Sequence, residues 1–218
     1  MALPTFQLER YFGQYEFSAE MLLCCSDMPA MTVGELLGMS PGSQDRFLEC
    51  HLGYTESAGA PSLRQAIASH IYTTLTPDHI MMHCGAEEGI YAYFHTLVHS
   101  KRAAGVAEPH IIVMWPCYTS LSEVARTAGA RVTPWRLRQS SSQGDWSADF
   151  AELEAAVGLD TCCIVINTPH NPTGYLMSHD LQRAVLSLAE RNSCEVFSDE
   201  VYSKLESDPA LALPSSAD

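Results

Sequence analysis

The chain has 218 residues, 46% of them hydrophobic and 17% charged, and a formal net charge of −14. That length can bury a sizeable core, and the apolar share argues against disorder. The acidic balance argues against a nucleic-acid partner, which needs a basic surface. No apolar run approaches the roughly 20 residues that span a bilayer, so no membrane partner is expected. The first ten residues lack the basic end and long apolar core of a signal peptide. Cysteines stand at 24, 25, 50, 84, 117, 162, 163 and 194 with no C-x-x-C among them. Neither a zinc ribbon nor a redox motif is indicated, and a reducing, cytoplasmic setting is expected.

Residues 1–50 show no regular alternation and read as an arm and part of a smaller domain, leaving 51–218 as part of a larger one. From about residue 60, helix and strand alternate. Pro61 and Ser62 open a helix over 63–75, with Leu63, Ile67 and Ile71 on one stripe. A strand is expected at 80–83, a helix at 87–100, a strand at 110–115, a helix at 119–127 and a strand at 131–136. A polar loop with three consecutive serines covers 139–145. Then come a helix at 149–157, a strand at 162–166, a helix at 178–191 and a strand at 194–198, with a tail from 205 lacking either. Repeated units of this kind predict an α/β fold, a mostly parallel sheet flanked by helices. Ligands in such sheets collect beyond the carboxyl ends of the strands.

Two of those ends carry unusual chemistry. Ile164-Val165-Ile166 runs into Asn167-Thr168-Pro169-His170-Asn171-Pro172-Thr173-Gly174, a stiff turn bearing an amide, and Phe197-Ser198 runs into Asp199-Glu200-Val201-Tyr202, a carboxylate with a phenol three residues on. Taken alone, Asp199-Glu200 also reads as a helix N-cap. Gly85-Ala86-Glu87 lies between a strand and a helix, where free N–H groups and the helix dipole suit a phosphate, although glycine also serves there for steric reasons. Trp115-Pro116-Cys117-Tyr118 ends another strand, with Tyr118 either over a ligand or packed at the junction.

These motifs, with Gly53-Tyr54 and the stretch to Arg64, resemble the pyridoxal 5'-phosphate (PLP) site of class I/II aminotransferases, the fold-type I enzymes. Glu9-Arg10-Tyr11-Phe12 and Thr133-Pro134-Trp135-Arg136 are similar to the capreomycidine synthase group within them. The resemblance implies a PLP-dependent enzyme acting on an amino acid and a 2-oxo acid, working as a homodimer. It implies Asp199 on the pyridine nitrogen, Asn171 and Tyr202 on the ring oxygen, Tyr118 on the ring face, and Gly85, Ala86 and Glu87 around the phosphate. Tyr54 would reach the neighbouring subunit's phosphate; it reads equally as a surface aromatic.

The family's Schiff-base lysine has no match. Lys101 is expected in a loop after a helix, and Lys204 follows Tyr202 too closely. In the family's sheet, strands supplied after that lysine pair with the first strand, so 80–83 would lack a neighbour. The chain is therefore expected to be a fragment, a truncated gene model or a spliced form, inactive alone and incomplete at the C-terminal side of its larger domain. A PLP-dependent lyase or cyclase, and a non-catalytic pseudoenzyme, are the alternatives. Gly38-Met39-Ser40-Pro41-Gly42 matches a hydrolase elbow only formally, since no strand precedes it. His95 and His99 share a helix face without a third metal ligand, and no metal site is expected.

Overall fold

The computed structural model describes residues 4–139 and 144–218. The sheet has five strands: β1 (His110–Trp115), β2 (Arg131–Gln139), β3 (Trp146–Ala148), β4 (Thr161–Asn167) and β5 (Glu195–Asp199), in the order β3-β2-β1-β4-β5. All pairings are parallel except that of the short β3 with β2.

Alternation along the central strands decides what packs where. Ile111 and Val113 of β1, with Cys163 and Val165 of β4, face one layer, formed by α5 (Ala86–Ala103) and α6 (Thr119–Ala128). Ile112, Met114, Ile164 and Ile166 face the other, formed by α7 (Phe150–Ala156) and α8 (His179–Arg191). β4 is buried at every position, the continuous apolar run expected of a strand covered on both faces. Local chemistry sets the helix starts: Asp149 accepts from the Ala151 N–H, and Ser178 from the Leu181 N–H.

Four expectations change. The stretch at 80–83 forms no strand, and its only ladder-like bond among the described residues runs from the Met82 N–H to the Ala58 carbonyl at 2.9 Å. An apolar run becomes a strand only beside a partner, and no described strand lies beside this one. Helix α4 (Pro61–His70) stops well before residue 75. The β-branched run Ile71, Thr73, Thr74 is poorly helical, and the Thr73 and Thr74 N–H groups donate instead to the Asp218 carboxylate, at 2.9 and 3.0 Å. Lys101 lies in the last turn of α5, 3.8 Å from Glu195, rather than in a loop. The tail contains a single 3-10 turn, Pro209–Leu211, and is tied to α8 by the Gln182 side chain bonding the Pro214 carbonyl. The serines at 140–142 lie outside the described residues.

Residues 4–54 carry three short helices, α1 (Gln7–Tyr15), α2 (Val33–Gly38) and α3 (Ser43–Leu48), none with a buried residue. Phe17, Leu23 and Leu52 are almost fully exposed. No helix among the described residues is long and apolar enough to cross a membrane.

Candidate functional site

A cavity of about 340 Å³ opens at the carboxyl ends of β1, β4 and β5, beside the first turn of α5. Its volume falls within the roughly 300–1,000 Å³ of small-molecule sites. Ala86, Glu87, Tyr118, Asn171, Asp199 and Tyr202 all line it.

β5 delivers Asp199. Its carboxyl is only partly exposed and accepts the Val201 N–H at 3.2 Å. Burial raises its pKa above the ordinary 3.8, and the Glu200 charge adds to the rise. β4 delivers Asn171 through a turn closed by Gly174 N–H to the His170 carbonyl, 2.8 Å, and His170 N–H to the Tyr175 carbonyl, 3.0 Å. Gly174 takes a φ of +70° there, which glycine tolerates without strain. The Asn171 side-chain amide donates to the Tyr202 hydroxyl at 3.3 Å. The amide and the phenol thus point their polar atoms at one spot.

β1 leads through Pro116 and Cys117 to Tyr118, the N-cap residue of α6. Its ring meets Phe6 at a centroid distance of 5.5 Å, and its phenol is pushed up by burial, with Glu87 and Glu9 adding to the effect. Gly85 caps α5 with a φ of +82° and open space where a Cβ would stand. No side chain caps this helix, which leaves its first N–H groups directed outward. Glu87 is engaged by the Ser120 hydroxyl at 2.6 Å.

Tyr54 is fully exposed and lies outside the cavity. Lys204 is exposed, adopts a φ of +73° and does not line the cavity. Asp199 begins no helix, because residues 201–204 form turns. His95 lies on α5 with its Nε2 buried and unbonded, and no group of three metal-ligating side chains occurs among the described residues.

Two sets of residues escaped the reading of the motifs. Asn167, buried in β4, accepts the Asn171 N–H through Oδ1 at 2.6 Å and donates through Nδ2 to the Asp199 carbonyl at 2.9 Å. The other wall of the cavity is N-terminal: Leu8, Glu9, Phe12 and Glu16 with Cys25, Ser26 and Asp27. Glu9 and Phe12 stood in a motif that carried no site role, and no local signal marks the rest, since they meet the site only through the fold.

A pyridine ring suits one end of this cavity. A partly buried carboxyl with no basic residue among the cavity's lining matches a protonated ring nitrogen, and the Asn171–Tyr202 pair matches a ring oxygen. The phosphate end is less complete: it has the α5 N-terminus, but Glu9, Glu16, Asp27, Glu87 and Asp199 surround the cavity without a cation among the described residues.

The parallel sheet with this site at its carboxyl ends defines an aminotransferase-type α/β protein. The profile of aminotransferase class I and II matches residues 49–216, and the chain belongs to that family. Over 98% of its length it is 29% identical to capreomycidine synthase from Streptomyces vinaceus, of which it covers 53%. Over 68% of its length it is 29% identical to an aspartate aminotransferase from Pyrococcus horikoshii, covering 37% of that protein. In three dimensions it superposes on a PLP-dependent aminotransferase from Streptococcus suis with a TM-score of 0.79 at 24% identity, over 94% of this chain and 54% of that one. The chain spans about half the length of these relatives or less. The family's enzymes depend on PLP.

Proposed function

We propose that this chain carries the ring-holding part of a PLP site in an enzyme that moves an amino group between an amino acid and a 2-oxo acid. PLP, when bound, supplies an electron sink for negative charge at the substrate's α carbon. The observation that carries the reading is the convergence of Asp199 with the Asn171–Tyr202 pair in one cavity. Asp199 keeps a proton on the pyridine nitrogen, and a raised carboxyl pKa is relieved when a cation joins it. Asn171 and Tyr202 orient the ring through its oxygen, Tyr118 covers a face, and the α5 N-terminus receives the phosphate.

Neither lysine serves for covalent attachment. Lys101 pairs with Glu195, at the end of β5 away from the site, and Lys204 faces solvent. The chain on its own is therefore inactive in transamination. The similarity to capreomycidine synthase runs over 98% of this chain and 53% of that protein, and a lyase or cyclase reaction at the same site is the second reading. The exposed Phe17, Leu23, Leu52 and Tyr54 support a homodimer, in which Tyr54 would reach the partner's site, and the free cysteines support a cytoplasmic setting.

The test is titration of the chain with PLP, followed by borohydride reduction and peptide mapping. Reversible binding that Asp199→Ala weakens at least tenfold is expected. An adduct fixed to Lys204 overturns the inactive reading, and binding indifferent to Asp199→Ala overturns the site.

A further inference from the structure

Tyr202 has a second partner. The Ser26 hydroxyl lies 2.8 Å from the Tyr202 hydroxyl, a bond spanning 176 positions of sequence. Ser26 lines the site cavity and also the neighbouring one beneath the Asn171 turn, so it stands between the two, against Tyr202. It belongs to a stretch, residues 19–32, with neither helix nor strand. Among the described residues, no other hydrogen bond ties 4–54 to the rest of the fold. One hydroxyl pins a long irregular segment at the spot where the motifs put the ring oxygen.

The proton arithmetic gives the bond its chemistry. Tyr202 owns one proton and already accepts from the Asn171 amide. Without a ring oxygen to meet, its proton can turn to Ser26. With one present, the Ser26 hydroxyl reverses and donates to Tyr202, whose proton is then free for the ring. Two donors on one phenol oxygen polarise it and strengthen the bond it gives. Replacing Ser26 by alanine leaves the phenol with Asn171 alone.

We infer that Ser26 is a positioning residue of the cofactor site, acting on the ring oxygen through Tyr202. This rests on the PLP reading above, and it makes the N-terminal segment part of that site.

Pyridoxamine 5'-phosphate tests the inference, because it binds without a lysine; its 3-deoxy analogue lacks the ring hydroxyl. Calorimetric titration of Ser26→Ala is expected to show about fivefold weaker binding of pyridoxamine 5'-phosphate, the loss typical of one net hydrogen bond. The 3-deoxy analogue should bind the variant and the unmodified chain equally, and Ser26→Thr should restore the difference. In a Tyr202→Phe background, Ser26→Ala should add nothing. Equal weakening for both ligands would make Ser26 a tether of the arm and nothing more, and no weakening would remove it from the site; either result overturns the inference. Asp199→Ala separates the two levels of the reading, since it should weaken both ligands. If the unmodified chain binds neither, the PLP site itself fails and the inference fails with it.

Discussion

The side chain of Asn167 bonds the backbone carbonyl of Asp199, Nδ2 to O, at 2.9 Å, and the two residues also face each other in the parallel register of β4 and β5. The same amide accepts the Asn171 N–H at 2.6 Å. One buried group therefore sets the distance between the residue proposed for the ring nitrogen and one proposed for the ring oxygen.

Asn167→Ala strands the Asn171 N–H at the floor of the site, while the Asp199 carbonyl keeps the Thr168 N–H at 3.2 Å. One unsatisfied buried group costs roughly 1–3 kcal/mol, and a loss of that size in unfolding free energy is expected. Urea denaturation measures it. A variant as stable as the unmodified chain would mean that these strand ends are held by other bonds.

His170 carries a pH dependence. It is buried, with Nδ1 2.7 Å from the Thr173 hydroxyl, and burial lowers its pKa from 6.5 to about 4 against a smaller opposing pull from the Pro116 backbone. The unfolded chain takes up this proton first as pH falls. The stability held by the neutral ring is thus complete above pH 6.5 and drains away down to about pH 4. At about 1.4 kcal/mol per pH unit, the shift from 6.5 to about 4 amounts to roughly 3–4 kcal/mol. His170→Asn should be less stable than the unmodified chain at pH 7.5, and the gap should close by pH 4.5. A constant gap in urea midpoints across that range would refute the assignment.

How much of this was legible depended on where each signal lay. β1 and β4 were plain because a strand buried on both faces writes a continuous apolar run, and Asn171, Asp199 and Tyr202 stood at the ends of such runs. The expected strand at 80–83 has the same kind of run but no described neighbour, and pairing is a property of two segments that one segment cannot report. β3 spans only Trp146–Ala148, too short for its alternation to register. Ser26 and Asn167 act through contacts that local patterning does not encode. An isolated serine in an irregular stretch looks the same whether or not a tyrosine lies against it.

Asp199 titrates in the opposite sense to His170. Its carboxyl stands above the ordinary 3.8, so the folded chain holds that proton more tightly than the unfolded one. Ionising it costs stability as pH rises past 3.8 and through the raised value. Asp199→Asn removes the cost: the two proteins should be matched at pH 3, and the variant should be the more stable at pH 7. The same variant should bind pyridoxamine 5'-phosphate at least tenfold more weakly, since a charge-assisted bond is lost. Stability gained together with affinity lost is the signature of a buried functional carboxylate. A variant destabilised at pH 7 would mark Asp199 as structural.

The charge around the cavity sets the last expectation, the response to salt. Glu9, Glu16, Asp27, Glu87 and Asp199 line it, without a lysine, arginine or histidine, and the α5 N-terminus is the one feature there that favours an anion. A helix terminus contributes about 0.3–1 kcal/mol to a nearby negative charge, so pyridoxamine 5'-phosphate should bind this chain no more than about fivefold tighter than pyridoxamine. Added salt screens repulsion as readily as attraction. Moving from low salt to physiological ionic strength should therefore tighten the binding of pyridoxamine 5'-phosphate, whereas a phosphate held by basic groups would bind more weakly. Calorimetry at two salt concentrations decides it. Weakening with salt would require a cation at the phosphate end, and would place a basic group against the cavity in solution.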